Sequence, residues 1–498
     1  MSVQIDALTE EYFSSGTVRG LPNKLFIDGN WISAISGEEI ETIDPGLGNV
    51  FAKVSAAQTE DVELAVNAAS KAFKEVWKDF KPSKRGEILA KAADLLEQQS
   101  DLFAVVEALD TGKPLAEAQG DVSSSVGALR YYAGCADKIQ GDSFPLGDGV
   151  FSFSSVEAVG VTAHIIPWNY PLATTIRGVA PALAAGCTAV VKPAEQTPLS
   201  ALMLAKIFEE AGLPAGVYNV ITGTGKNAGS PLVDHPKVQH ITFTGSVGTG
   251  TLVMQAAARN ISSVTLELGG KSPIVALADC DLEKTAEGVL WAIFYNAGQI
   301  CSAGSRLIVE RSIHRKLVEK VVEKTTQLQA GHGLRNTNYG AINSKEQLDK
   351  IDSFVQRAKS RGIKCLCGGH PISNEATGKG WFYAPTIMDD VPMGDELVQE
   401  EIFGPVLSVQ VVDSVEQAGE AANCTDFALA AGVYTQDITH ALKLAHEIDS
   451  GQVTINDYWA GGIEVPFGGN RKSGIGREKG LEALSNYCTT KSITMSFS

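Results

Sequence analysis

From Val159 onward the chain alternates short β-rich runs with helical stretches, and this pattern limits the folds open to it. Val161–Ile166, Thr188–Lys192, Val217–Thr222, His240–Thr244 and Val264–Leu268 read as strands, while Thr175–Ala185, Leu199–Ala211 and Gly248–Ala258 read as helices. Such alternation means βαβ units and a parallel sheet. Upstream, residues 60–80 and 83–110 read as helices. After Ser272 a second α/β region begins, with helices near 282–297 and 312–329. Neither a repeat nor a low-complexity linker separates these regions.

Two pieces fit neither region. Phe151–Val156 follows the turn-like Gly147-Asp148-Gly149 and reads as a hairpin arm. At the C-terminus Ile493, Met495 and Phe497 alternate with Thr494, Ser496 and Ser498, as in a strand with one apolar face. A strand at a chain end must find a sheet, either in its own protein or in a neighbour.

Composition narrows the function classes. The 498 residues include 41 basic and 58 acidic side chains, a net charge of −17. That argues against a general nucleic-acid or anionic-membrane binder, which needs basic surface. The N-terminus carries acid where a secretory signal carries base. The longest small and apolar run, Gly178–Val191, is too short and too broken by Pro and Gly to span a bilayer. Cys135, Cys187, Cys280, Cys301, Cys365, Cys367, Cys424 and Cys488 form no C-x-x-C pair, and the histidines are scattered. The expectation is a cytoplasmic protein with reduced thiols and no metal site.

The chemistry concentrates in two Gly-rich bends. One is Phe294-Tyr-Asn-Ala-Gly-Gln-Ile-Cys301-Ser302, and the other is Leu266-Glu267-Leu-Gly-Gly-Lys271. A cysteine in such a bend can be an exposed nucleophile and a glutamate in another can be a base. Together they suit covalent catalysis on a carbonyl. They lie too far apart for one helix or hairpin to join them, so the fold must. Taken alone, Cys301 reads equally as a buried, inert thiol.

Two further segments, Ile166-Pro-Trp-Asn-Tyr-Pro171 and Glu400-Glu-Ile-Phe-Gly-Pro405, complete a set that resembles the aldehyde dehydrogenase superfamily from about Phe26 to the C-terminus. The resemblance implies an α/β protein with a Rossmann-like parallel-sheet cofactor domain over 1–137 and 159–270. A second α/β catalytic domain would cover 271–471. A small β oligomerisation arm over 138–158 and 484–498 would extend into neighbouring subunits of a homodimer or homotetramer. By the same resemblance Cys301 attacks the aldehyde, and Asn169 and the Cys301 backbone N–H hold the oxyanion. Glu267 activates the water that hydrolyses the thioester. Glu478 matches a proton-relay glutamate whose usual lysine partner is replaced here by Gly178.

The cofactor implied is NAD. The nearest G-x-G-x-x-G match, Gly223-Thr-Gly225-Lys-Asn-Ala228, reads by itself as a turn, with Gly225 kept as a cofactor candidate. The resemblance places the pyrophosphate at Gly245 and Ser246, before a helix N-terminus with free N–H groups. It places the adenine ribose on Lys192 and Glu195, the nicotinamide half on Glu401 and Phe403, and adds Ile166 and Trp168. Glu195 can accept from two ribose hydroxyls but repels a 2′-phosphate, which favours NAD over NADP.

Matching positions line a substrate channel with Tyr170, Arg177, Tyr295, Trp459 and Phe467. Relatives acting on betaine aldehyde or aminoaldehydes carry a tryptophan where this chain has Arg177. A guanidinium there repels ammonium and attracts carboxylate, so the expected substrate is an aldehyde with a distal acid or polar group. The succinic semialdehyde type usually has a second arginine where this chain has Tyr295. Aromatic, betaine or aminoaldehyde oxidation stays open, as does an Arg177 that pairs with an internal acid. Outside this class stand a non-redox esterase or acyltransferase and a non-catalytic crystallin-like protein.

Overall fold

The computed structural model describes residues 3–335, 337–374 and 377–497. It is an α/β fold built on two large sheets. In the first sheet, Tyr218–Val220, Thr188–Lys192, Val161–Ile165, Val238–Thr244 and Ser263–Glu267 lie side by side and parallel, with antiparallel Leu25–Ile27 and Asn30–Ile32 at one edge. Gly474–Ile475, from near the C-terminus, closes the other edge against Leu266 and Glu267. Every residue of Thr188–Lys192 is buried, as expected for a parallel strand covered by helices on both faces.

The helices differ in detail from the sequence expectation. The helix expected at Thr175 begins at Pro171, because proline at the first helical position needs no N–H partner. It ends at Gly186, whose φ of 100° suits glycine. The single helix expected over 83–110 is two, Pro82–Gln98 and Ser100–Thr111. Gln99 leaves helical geometry (ψ 15°) within the polar run Gln98-Gln99-Ser100-Asp101, where apolar periodicity does not force continuation. The helix expected over 60–80 is regular only over Thr59–Ala72 before a wider turn at Phe73–Trp77.

The second sheet runs Lys364–Cys367, Thr386–Asp389, Val406–Val412, Arg306–Glu310, Pro273–Ala276, Ala430–Tyr434 and Gln452–Ile455. All neighbours are parallel except the edge strand Lys364–Cys367. The chain crosses between sheets through Leu268–Ser272, leaving the C-terminal end of one strand at Glu267 and entering the next at Pro273. The C-terminal edge of the first sheet is thereby tied to the N-terminal edge of the second. The helices expected over 282–297 and 312–329 are shorter, Leu282–Phe294 and His314–Thr325.

Three further strands form an arm. Cys488–Ser496 pairs antiparallel with Val150–Ala158 along its whole length, and Ser143–Phe144 adds a short third strand. Ile493 sits opposite Phe153 and Met495 opposite Phe151, giving the alternating apolar face the sequence predicts. Phe144, Phe151, Met495 and Phe497 stay exposed. Among the described residues no helix is long and apolar enough to cross a membrane.

Candidate active site

The loop that carries Cys301 begins where a helix is made to stop. Asp281 caps Leu282–Phe294 by accepting from the N–H groups of Glu283 and Lys284 at 3.0 and 3.1 Å. Beyond Phe294, Asn296, Ala297 and Gly298 have φ of 48°, 50° and 73°. Successive left-handed residues cannot continue a right-handed helix. The Asn296 N–H is held by the Glu117 carboxylate at 2.9 Å, and Gly298 packs directly on the Gly404 backbone, where a Cβ would collide. This turn delivers Cys301 half-buried to the mouth of the strand Arg306–Glu310. All eight cysteines are free.

The second Gly-rich bend explains its own glycines. A Cβ on Gly269 would strike the Glu401 carboxylate and one on Gly270 the Cys301 carbonyl. The bend can therefore lie against both the nucleophile loop and the Glu401 segment. Gly270 also donates its N–H to Glu401 at 3.0 Å. The fold has joined what the sequence separates.

Cys301 and Asn169 open onto one cavity of about 680 Å³, together with Tyr170, Arg177, Tyr295, Trp459 and Phe467. All five expected substrate residues are thus gathered on one surface. Tyr295 and Trp459 lie 6.4 Å apart between ring centroids, and Tyr458 packs edge-on against Trp459. The Asn169 side-chain N–H₂ donates to the Gln299 carbonyl at 2.8 Å. That bond uses one of its two hydrogens and leaves the second for an oxyanion.

Glu267 and Glu478 lie behind this cavity, each 1% exposed. Glu267 ends its strand opposite Gly474, and neither carboxyl oxygen has a hydrogen-bond partner among the described residues. Gly468 leaves room for it, since a Cβ there would stand 2.6 Å from Oε1. Burial, followed by the Glu478 charge, holds the Glu267 carboxyl well above the usual range, against the opposing pull of Arg177, Arg477 and Lys479. Burial likewise pushes the Cys301 thiol up to about 12, with Arg177 opposing.

The sequence left Glu478 without a partner, and Arg177 is that partner. Its guanidinium forms an ion pair with the Glu478 carboxylate while lining the cavity. Burial works against the Arg177 charge, but Glu478, Glu267 and Cys301 around it prevail and raise its affinity for the proton. Gly178 does not reach the site; a Cβ there would meet His164 Nδ1 at 2.8 Å.

The expected cofactor residues gather at the C-terminal edge of the first sheet, where open α/β sheets bind ligands. Lys192 ends a strand, Ile166 and Trp168 follow one, and Gly245 and Ser246 follow another. Ser246 caps the helix Val247–Asn260. Glu195 pairs with Lys192 at 3.1 Å and accepts the Gly225 N–H at 3.0 Å. At Gly225 and Gly248 an added Cβ would meet no protein atom within 4 Å, so open space lies above both bends. Capped N-terminus, acidic end and open crevice fit a dinucleotide. On the opposite wall Trp168 and Phe403 meet edge to face at 5.2 Å, beside Glu401. Burial pushes the Glu401 carboxyl up to about 7.

Sequence reasoning missed the layer that holds these residues. Lys113 is completely buried, pairs with Asp121, and donates to the Asn169 carbonyl at 2.9 Å. Its ammonium sits 3.9 Å above the Tyr170 ring. Gln299 bridges outward, donating to the Ala341 carbonyl and accepting from the Asn343 N–H. The only signal for Lys113 was its place in Asp-Thr-Gly-Lys after a predicted helix. Among the described residues no group of three or more His, Cys, Asp or Glu could hold a metal ion.

The profile of the aldehyde dehydrogenase family matches residues 31–493. The chain belongs to the aldehyde dehydrogenase family. An aldehyde dehydrogenase of Aspergillus niger is 42% identical over 474 residues, 95% of each chain. Among solved structures, the NAD+ complex of an aldehyde dehydrogenase from Bacillus cereus aligns with a TM-score of 0.94 at 40% identity, covering 100% of this chain and 99% of that one. An indole-3-acetaldehyde dehydrogenase complexed with NAD+ aligns with a TM-score of 0.95 at 36% identity, covering 98% of both chains.

Proposed function

We propose that this protein oxidises an aldehyde bearing a distal carboxylate or other polar group to the carboxylic acid, with NAD as hydride acceptor. The observation that carries the reading is one cavity lined by Cys301 and Asn169 together with the cationic side chains of Arg177 and Lys479. In this reading the first sheet with residues 1–137 and 159–270 is the cofactor domain and 271–471 the catalytic domain. The apolar arm over 138–158 and 484–498 joins copies of the chain into a dimer or tetramer, covering Phe144, Phe151, Met495 and Phe497. The working compartment is the cytoplasm.

Cys301 Sγ, once deprotonated, adds to the aldehyde carbon. The oxyanion falls to the free Asn169 Nδ2 hydrogen and the Cys301 backbone N–H. One such donor is commonly worth about 2.7–4 kcal/mol in the transition state. Ser246, Lys192, Glu195, Glu401 and Phe403 are the residues that would hold the cofactor. When bound, NAD accepts the hydride, and the substrate is left as a thioester on Cys301. Glu267 then takes a proton from water, whose oxygen attacks the acyl carbon and displaces the thiolate. Burial and the Glu478 charge raise the proton affinity of the Glu267 carboxyl, so the base is its ionised form.

The aromatic walls of the same cavity favour a second reading, oxidation of an aromatic aldehyde. NADH formation with matched aldehydes ending in carboxylate, methyl, phenyl or ammonium separates the two. A higher kcat/KM for the carboxylate supports the proposal. Preference for phenyl or ammonium overturns it in favour of the aromatic lining.

A further inference from the structure

We propose that Lys479, rather than Arg177, is the cation that selects the distal carboxylate of the substrate. This deepens the substrate reading above and rests on it. Both cations line the cavity that Cys301 opens onto. They flank one ring, with the Arg177 guanidinium carbon 5.2 Å and the Lys479 ammonium 5.3 Å from the Phe467 centroid. Their electrostatic situations differ. Arg177 is bound to the Glu478 carboxylate, so its charge is already matched. Lys479 has no ion pair or side-chain hydrogen bond among the described residues, and its ammonium lies over the ring face. A carboxylate entering the cavity therefore gains the full attraction of Lys479. To gain the same from Arg177 it would have to displace Glu478.

The backbone places Lys479 there at some strain. Phe467 and Glu478 exchange reciprocal N–H···O bonds of 2.7 Å, which fixes Lys479 beside the ring. Lys479 itself has φ 61°, a left-handed conformation that favours the glycine next to it, Gly480 (φ 58°). A lysine in that conformation at the wall of a ligand cavity is the pattern of a residue kept for its side chain. Arg177, Glu478, Cys301 and Glu267 are the titratable groups that act on it, Glu478 being paired with Arg177, and Glu464 is a further acid on the cavity wall.

The test is steady-state kinetics of the full-length enzyme with two aldehydes of equal length, one ending in carboxylate and one in methyl. Lys479→Met is expected to lower kcat/KM for the carboxylate by about tenfold or more relative to kcat/KM for the methyl-terminated aldehyde, whose own change reads out any effect of Lys479 on Glu267. Lys479→Arg is expected to restore most of the difference. Lys479→Gly removes the charge and relieves the left-handed strain, so it covers the case in which the Met variant folds poorly. Equal losses for both substrates in the Met and Gly variants would make Lys479 structural and overturn the inference. A carboxylate preference that persists unchanged in both variants also overturns it and returns recognition to Arg177. If the wild-type enzyme shows no carboxylate preference at all, the substrate reading itself fails and takes this inference with it.

Discussion

The guanidinium of Arg177 and the carboxylate of Glu478 are paired inside the protein, with side-chain exposures of 18% and 2%. Glu478 is held in place by its backbone exchange with Phe467, and Arg177 by the helix Pro171–Ala185. Removing one partner strands a buried charge, which typically destabilises by about 3–5 kcal/mol. Arg177→Met is expected to lose stability on that scale, and Arg177→Met/Glu478→Met to regain most of it. Urea unfolding of the two variants checks the point. A double variant no more stable than the single one would show that the two side chains are not coupled.

Gly178 stands where the family resemblance expects a lysine, and the reason lies in its neighbour. His164 is completely buried, its Nδ1 has no hydrogen-bond partner, and burial lowers it to about 3, so it is neutral. Its ring occupies the space that a side chain at 178 would take. Gly178→Ala is expected to cost about 1–3 kcal/mol through overpacking. Adding His164→Ala should relieve part of that. Thermal melting of the single and double variants tests this. An uncoupled, additive result would mean that His164 is not what excludes a side chain from position 178.

Burial raises the proton affinity of both groups that the proposed mechanism uses in deprotonated form. Cys301 is pushed up to about 12 by burial, and Glu267 is raised well above its usual range by burial and Glu478. The sign is the same for both, so with a neutral aldehyde kcat/KM is expected to rise as pH goes from about 7 to 9. Glu267→Gln should form about one equivalent of NADH in a burst and then stall at the thioester. Lys479 has the opposite sign. Burial, then the Arg177 charge, lower it to about 8, against Glu478, Cys301 and Glu267. Above that pH it loses its charge, so KM for a carboxylate-bearing aldehyde should climb while KM for a neutral one does not. Stopped-flow absorbance and a pH series with both substrates decide it.

The large-scale α/β pattern and the chemical residues were legible because each has a local signature. Strand alternation marked the first sheet, and Gly-rich bends marked Glu267 and Cys301. What stayed hidden depends on partners far away in the chain. The break at Gln99 and the end of the helix at Phe294 reflect φ/ψ changes that apolar periodicity does not encode. The Arg177–Glu478 pair was visible as a missing lysine at 178 and as the open reading of Arg177 paired with an internal acid, but no spacing rule links a helix to a distant loop and so names Glu478 as that acid. Lys479 has no motif or spacing that marks it, and only its position over Phe467 on the cavity wall brings it into view.

Lys113 is a positioning residue of this hidden kind. It donates to the Asn169 carbonyl, while Glu117, four residues further along the chain, holds the Asn296 N–H. Burial pushes Glu117 up to about 8, with Lys113 opposing. The two side chains thus fix the backbone on both sides of the oxyanion position. Asn169→Ala should lower kcat by about 10²–10³-fold through direct loss of a donor. Lys113→Met should lower kcat by about tenfold with little change in cofactor KM, because a small displacement of positioned groups costs rate. A parallel rise in cofactor KM would point instead to general loosening of the fold, as would a large fall in melting temperature.

In the proposed reading Glu195 is the residue that discriminates between the two nicotinamide cofactors. Burial works against its charge, yet Lys192 and the backbone N–H groups of Glu195 and Gly225 more than offset it and hold the carboxyl below its usual range. It is therefore an anion at every working pH, half-exposed at the crevice edge. A ribose 2′-hydroxyl can donate to it, whereas a 2′-phosphate brings a like charge to the same place. Like charges juxtaposed at a binding surface cost several kcal/mol, so kcat/KM should favour NAD over NADP by about 100-fold or more. Glu195→Gln keeps the shape and removes the charge. It should narrow that ratio mainly by lowering KM for NADP, with a smaller rise in KM for NAD from the weakened hydroxyl contact. Initial rates with both cofactors at saturating aldehyde measure this directly. A ratio left unchanged by Glu195→Gln would move discrimination away from this carboxylate and onto the shape of the crevice.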